Sequence, residues 1–102
     1  MNRQTLPNRR RSELYDFENE GIGFTGTVSR YADGRVAEIF LDAHKPGSGV
    51  GTAARDIGVA ASIALQYGAP IDTLRKALTR LSDGHAAGPL GRFLDIVEGE
   101  AE

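Results

Sequence analysis

The stretch VAEIFLDAHKPGSGVGTAARDIGVAASIALQY, residues 36–67, changes its hydrophobic period halfway. From Val36 to Asp42 it alternates. Ala37, Ile39 and Leu41 share one face and Val36, Glu38 and Phe40 the other, which is the period of a strand. From Thr52 to Tyr67 the apolar residues Ala53, Ile57, Ala60, Ala61, Ala64 and Leu65 recur at helical spacing, and Gly68 with Pro70 supplies a stop signal. A strand therefore feeds a helix through the small-residue loop Lys45–Gly51. Gly58 in that helix lets another backbone approach closely.

Upstream the period stays at two. Ser12–Glu18 alternates, with Tyr15 and Phe17 on one face and Asp16 and Glu18 on the other. Asn19-Glu20-Gly21 is a turn. Phe24–Tyr31 is rich in β-branched and aromatic residues, and Tyr31-Ala32-Asp33-Gly34 is a second turn with Gly34 where positive φ is expected. Downstream the period stays helical. Ile71, Leu74, Leu78 and Leu81 form one stripe, with Pro70 and Asp72 suited to its first turn. Ser82–Gly88 is a loop, and Leu90, Phe93, Leu94 and Val97 mark a third helix over Pro89–Glu98.

Segregated strands and helices predict an α+β fold: a three-stranded antiparallel meander followed by two or three helices packed on one face. The chain divides into an extended basic arm (1–12), a single domain (13–98) and an acidic tail (99–102). Such a small sheet leaves edges and part of a face uncovered, so a homodimer or higher homo-oligomer is expected.

The chain has 102 residues and no cysteine, which excludes disulfides, thiolate metal sites and cysteine nucleophiles. No apolar run approaches bilayer length, and the N-terminus lacks the apolar segment of a secretory signal, so a cytoplasmic protein without membrane contact is expected. The formal net charge of −2 conceals an asymmetry. Arg3, Arg9, Arg10 and Arg11 load the first eleven residues; Asp95, Glu98, Glu100 and Glu102 load the last eight.

Gly21-Ile22-Gly23-Phe24-Thr25-Gly26 matches the dinucleotide fingerprint in letters, but strand-forming residues follow where a helix must open; its glycines belong to a hairpin. Lys45-Pro46-Gly47-Ser48-Gly49-Val50-Gly51-Thr52 is different. It runs directly into a helix start, where unpaired backbone N–H groups and the macrodipole favour an anion. It is not a Walker A loop, because the Gly-Lys-Ser/Thr order is absent; helix capping by Ser48 or Thr52 is the simpler alternative. His44 and His85 with no cysteine make a poor metal set even with Asp42, and no metal or other cofactor is expected. Ser48 lies in no nucleophile elbow. Glu38 shares a face with Val36 and Phe40; an inward carboxylate there would meet an arginine of the arm, and a partly exposed sheet face explains it equally well. No arrangement points to catalysis.

Leu6-Pro7-x-Arg9-Arg10, Asp33-Gly34-Arg35-x-x-Glu38-Ile39-Phe40 and His44-Lys45-x-Gly47-Ser48 resemble, in order and spacing, the TSCPD domain. So do Ala61-Ser62-Ile63-Ala64-Leu65-x-x-Gly68-x-Pro70 and Gly88-Pro89-Leu90-Gly91-x-x-Leu94-Asp95. That family occurs as a C-terminal domain of cobalamin-dependent ribonucleotide reductases and as free-standing small proteins of bacteria and phages, and this chain looks like the free-standing kind. The Thr-Ser-Cys-Pro-Asp motif itself is missing. Reductase chemistry and any cysteine-based metal or redox role therefore do not carry over.

The expected function is non-catalytic binding of a small, nucleotide-like anionic ligand, sensing or sequestering it. Arg9, Arg10, Arg11, His44, Lys45, Gly47, Ser48, Gly49 and Thr52 would hold phosphate, and Tyr15, Phe17 or Tyr31 would stack a base. The alternatives are nucleic-acid binding through the arm and a protein-interaction or assembly module related to ribonucleotide reductase.

Overall fold

In the computed structural model, which describes residues 2–7, 11–45 and 49–99, strands β1 (Ser12–Asn19), β2 (Ile22–Arg30) and β3 (Val36–Ala43) precede helices α1 (Gly49–Gln66), α2 (Ile71–Ala77) and α3 (Pro89–Val97). The sheet is an antiparallel meander in the order β1-β2-β3, so the fold is α+β as the sequence indicates. The hairpin between β1 and β2 has a two-residue loop. Asn19 pairs with Ile22, and Glu20 (φ 53°) and Gly21 (φ 78°) both take the positive φ of a type I′ turn. Glycines of the false dinucleotide fingerprint thus serve a turn and a strand.

The face of the sheet bearing Phe17, Phe24, Gly26, Val28, Ile39 and Leu41 is the inner one. Helix α3 lies against it, with Phe93 and Leu94 fully buried. Phe93 packs directly on Gly26; a Cβ at Gly26 would stand 2.4 Å from a carbon of its ring. Its ring stacks on Phe17 (centroids 5.5 Å apart, 8° between planes) and meets Tyr15 edge-on at 5.9 Å. Phe17 also stacks on Phe24 at 5.5 Å.

Helix α1 closes the open edge of β3. The Ser62 hydroxyl accepts a hydrogen bond from the Ile39 N–H at 2.8 Å and lies 3.0 Å from the Ile39 carbonyl. Gln66 donates to the Ala37 carbonyl at 3.1 Å. Gly58 permits this approach, since a Cβ there would stand 3.1 Å from the Ile39 carbonyl oxygen. Edge groups that would template pairing with another strand are thereby satisfied within the chain.

The buried side of α1 therefore runs through Ala54, Gly58, Ala61, Ser62, Leu65 and Gln66. The expected stripe is corrected by one position: Ala53, Ile57 and Ala60 are exposed. The helix ends in a Schellman motif, with Gly68 at φ 104° donating to Leu65 and Ala69 donating to Ala64.

The second helix is shorter than its periodicity implies. α2 stops at Ala77, Leu78 is extended, and Arg80 bridges to Ala86 across a tight turn. Leu81, expected on the helical stripe, is instead 52% exposed. No helix among the described residues is long and apolar enough to cross a membrane.

Candidate functional site

Two turns of this fold share one design. In Asp33-Gly34-Arg35 and Asp83-Gly84-His85, the Asp carboxylate accepts the backbone N–H two residues on, at 3.0 Å in each case. Both glycines have φ near 90°. Each carboxyl is held below its ordinary range, first by that backbone N–H and then by the side chain of the same residue, Arg35 or His85.

The first turn organises the arm. Asp33 holds the Arg35 guanidinium at 2.8 Å, and the guanidinium carbon lies 4.8 Å over the Tyr31 ring. Arg35 also donates to the Gln4 side chain at 3.0 Å, and the Tyr31 hydroxyl donates to the Gln4 carbonyl. The Gln4 N–H donates to the Gln66 carbonyl at 2.8 Å, while Arg3 Nε donates to the Gln66 side chain at 2.5 Å. The beginning of the chain is thus anchored at the C-terminal end of α1 and the β2–β3 turn.

Between this anchored segment and the sheet lies a half-open cleft of about 1080 Å³, lined among others by Thr5, Pro7, Arg11, Glu13, Arg30 and Tyr31. Arg30 is oriented by the Gly34 carbonyl at 2.9 Å and by Glu13 at 3.4 Å. Of the expected site residues, Arg11 and Tyr31 meet here. Arg9 and Arg10 lie outside the described residues. Arg30 joins the cleft although the sequence did not single it out; its place at the end of an alternating strand was the available signal.

Of the small-residue loop, Lys45 follows the end of β3 and Gly49 begins α1. An 18-residue α1 separates the arm's anchor at Gln66 from Gly49 by about 25 Å. His44 Nε2 lies 2.8 Å from the Thr25 hydroxyl, which donates to Asp16 at 2.6 Å. Gly23 makes room for that imidazole, since a Cβ there would stand 2.6 Å from Nδ1. Lys45 is exposed; Gly47 and Ser48 lie outside the described residues. The helix begins at Gly49, so Thr52 sits inside its first turn and is not its cap, and that turn contains no acidic side chain. Among the described residues, Lys45, Gly49 and Thr52 do not line the cleft that Arg11 and Tyr31 line.

Tyr15 and Phe17, named with Tyr31 as stacking residues, are partly buried and pack with Phe93. The two histidines belong to separate clusters. Among the described residues, no group of three or more His, Asp or Glu side chains is placed to hold a metal ion.

One charged cluster went unrecognised in the sequence. Asp95, counted there among the acidic residues of the last eight, is buried at 8% exposure and engaged by two arginines. Arg80 grips its carboxylate with both terminal nitrogens, at 2.6 and 2.9 Å, and Arg75 Nε donates at 3.0 Å. The Arg80 bonds foremost, then those of Arg75, hold this carboxyl below its ordinary value against the opposing effect of burial. The signal was present: Asp95 follows directly on the core residues Phe93 and Leu94.

The family model of the TSCPD domain matches residues 4–96, and the chain belongs to that family. It is 34% identical over 77 residues to a vitamin B12-dependent ribonucleotide reductase of Agrobacterium fabrum, covering 76% of this chain and 6% of that enzyme. It is 33% identical over 88 residues to the enzyme of that name from Bradyrhizobium diazoefficiens, covering 86% and 7%. A third, from Rhodopirellula baltica, is 38% identical over 72 residues, covering 71% and 7%. The chain therefore spans under a tenth of the length of these curated relatives. No solved structure matches it.

Proposed function

We propose that this ribonucleotide reductase-related module binds a nucleotide-like anionic ligand without chemically altering it. The observation that carries the reading is the cleft of about 1080 Å³ lined by Arg11, Arg30 and Tyr31 together. Its size admits a ligand with a base, a sugar and phosphate, and arginines suit phosphate oxygens through charge-assisted hydrogen bonds. The relatives are named as enzymes of ribonucleotides, which favours nucleotide chemistry over other anions. Sequestration or sensing is the role that such binding serves. A thermal-shift screen against nucleotides and cyclic nucleotides tests it: stabilisation is expected, diminished by Arg30→Ala. No stabilisation at millimolar ligand contradicts it.

A second reading, assembly, rests on a different observation. Val59 and Ile63, one turn apart on α1, are 44% and 39% exposed, and Phe40 and Leu14 on the sheet's outer face are 39% and 68% exposed. Apolar exposure of this kind marks contact surfaces. Light scattering after size exclusion tests it, with a concentration-independent monomer mass as the contrary result.

A further inference from the structure

A second cavity lies between α2, the turn that joins Arg80 to Ala86, and α3, away from the arm cleft. It measures about 530 Å³, within the usual range for small-molecule sites. Four permanent cations line it: Arg75, Lys76, Arg80 and Arg92. Three carboxylates oppose them, so the lining carries a surplus positive charge even with His85 neutral.

The charges are unevenly placed. Asp95 is buried and shared between two guanidiniums. Asp72 and Asp83 are exposed (69% and 61% of their side chains), one beside Arg75 and one beside His85, so the negative charge outside Asp95 stands towards solvent. Arg75, by contrast, keeps only 11% of its side chain exposed. Arg92 completes the picture. Its Nε is buried and has no hydrogen-bond partner among the described residues, although an unsatisfied buried donor is costly. Lys76, one residue from Arg75, is an exposed ammonium at the same cavity.

We propose that this cavity binds the phosphoryl group of a small phosphorylated molecule, with Arg92 and Lys76 as direct donors and Arg75 and Arg80 oriented by Asp95. Guanidinium forks held in place by a shared carboxylate lose little freedom on meeting a tetrahedral oxyanion. The outward carboxylates Asp72 and Asp83 select against a continuous polyanion, so the occupant is a small molecule and not a nucleic-acid strand. The site is independent of the arm cleft and stands whether or not that cleft takes a nucleotide.

The test is an amide-resolved NMR titration of the whole chain with sodium pyrophosphate, at ionic strength held constant with chloride. Saturable shifts are expected at residues 72–95, and affinity should weaken about tenfold in Lys76→Ala and in Arg92→Gln. If Arg92→Gln does not fold, Lys76→Ala decides alone, because its side chain is exposed. Any of four results overturns the proposal: no saturable shifts at millimolar pyrophosphate, equal shifts with chloride, wild-type affinity in Lys76→Ala, or tighter binding of an oligonucleotide at the same amides. Shifts confined to residues 4–34 also overturn it while leaving the arm cleft standing.

Discussion

Ser62 on α1 and Ile39 on β3 are joined through both backbone groups of the strand residue, the hydroxyl taking the N–H at 2.8 Å and facing the carbonyl at 3.0 Å. One side chain thus does for an edge strand what a fourth strand would do. Ser62→Ala leaves a buried N–H without a partner and should cost about 2 kcal/mol. Chemical denaturation measures it. A loss below about 0.5 kcal/mol, the level of an ordinary surface change, contradicts edge closure by this hydroxyl.

Asp95 should behave as a structural carboxylate. Its pKa is depressed on folding, so the stability it contributes is complete above the unfolded value near 3.8 and disappears as pH falls through the lower folded value. Asp95→Asn leaves two arginines facing a neutral amide, at a cost of about 3 kcal/mol at neutral pH. The variant's unfolding free energy should also fall less steeply than the wild type's below pH 4. Parallel acid profiles for the two proteins would place Asp95 outside the acid response.

Gly26 and Phe93 should show coupled energetics. Gly26→Ala puts a methyl group into the space of a ring already held by Phe17 and Tyr15, costing about 2 kcal/mol. Trimming the ring with Phe93→Leu should recover part of that loss, so the double variant is more stable than the two single losses sum to. Strict additivity, read by thermal denaturation, contradicts the close approach.

Glu20 is a non-glycine residue at positive φ in the β1–β2 turn. Glu20→Asn creates the Asn-Gly pair that type I′ turns favour and should stabilise the domain by about 0.5 kcal/mol. A melting temperature at or below that of the wild type is the contrary outcome.

The order of strands and helices was legible because the period switch between Val36 and Tyr67 is strong and the turns at Gly21, Gly34 and Gly68 each carry a glycine at positive φ. The buried side of α1 was not. Apolar residues surround most of that helix, so periodicity alone could not show that the glycine and serine side faces β3 while Ile57 faces out. Leu81 continued the α2 stripe by spacing alone; the chain turns away there because Arg80 reaches Asp95 and the Gly84 carbonyl. The candidate site was half legible. Arg11 and Tyr31 do meet in one cleft, but Gly49 and Thr52 lie at the opposite end of α1 from the arm's anchor at Gln66. Asp95 followed the core residues Phe93 and Leu94 in sequence, but its partners Arg75 and Arg80 reach it only through the fold.

The most direct test of the central reading is calorimetric titration of a nucleotide panel into the wild type and Arg30→Ala, followed by chromatographic recovery of the ligand. Saturable binding by at least one nucleotide, weakened about tenfold by Arg30→Ala and with the ligand recovered intact, is the predicted result. Absence of heat for every nucleotide at millimolar concentration, or recovery of a chemically altered ligand, would contradict a binding module that performs no turnover.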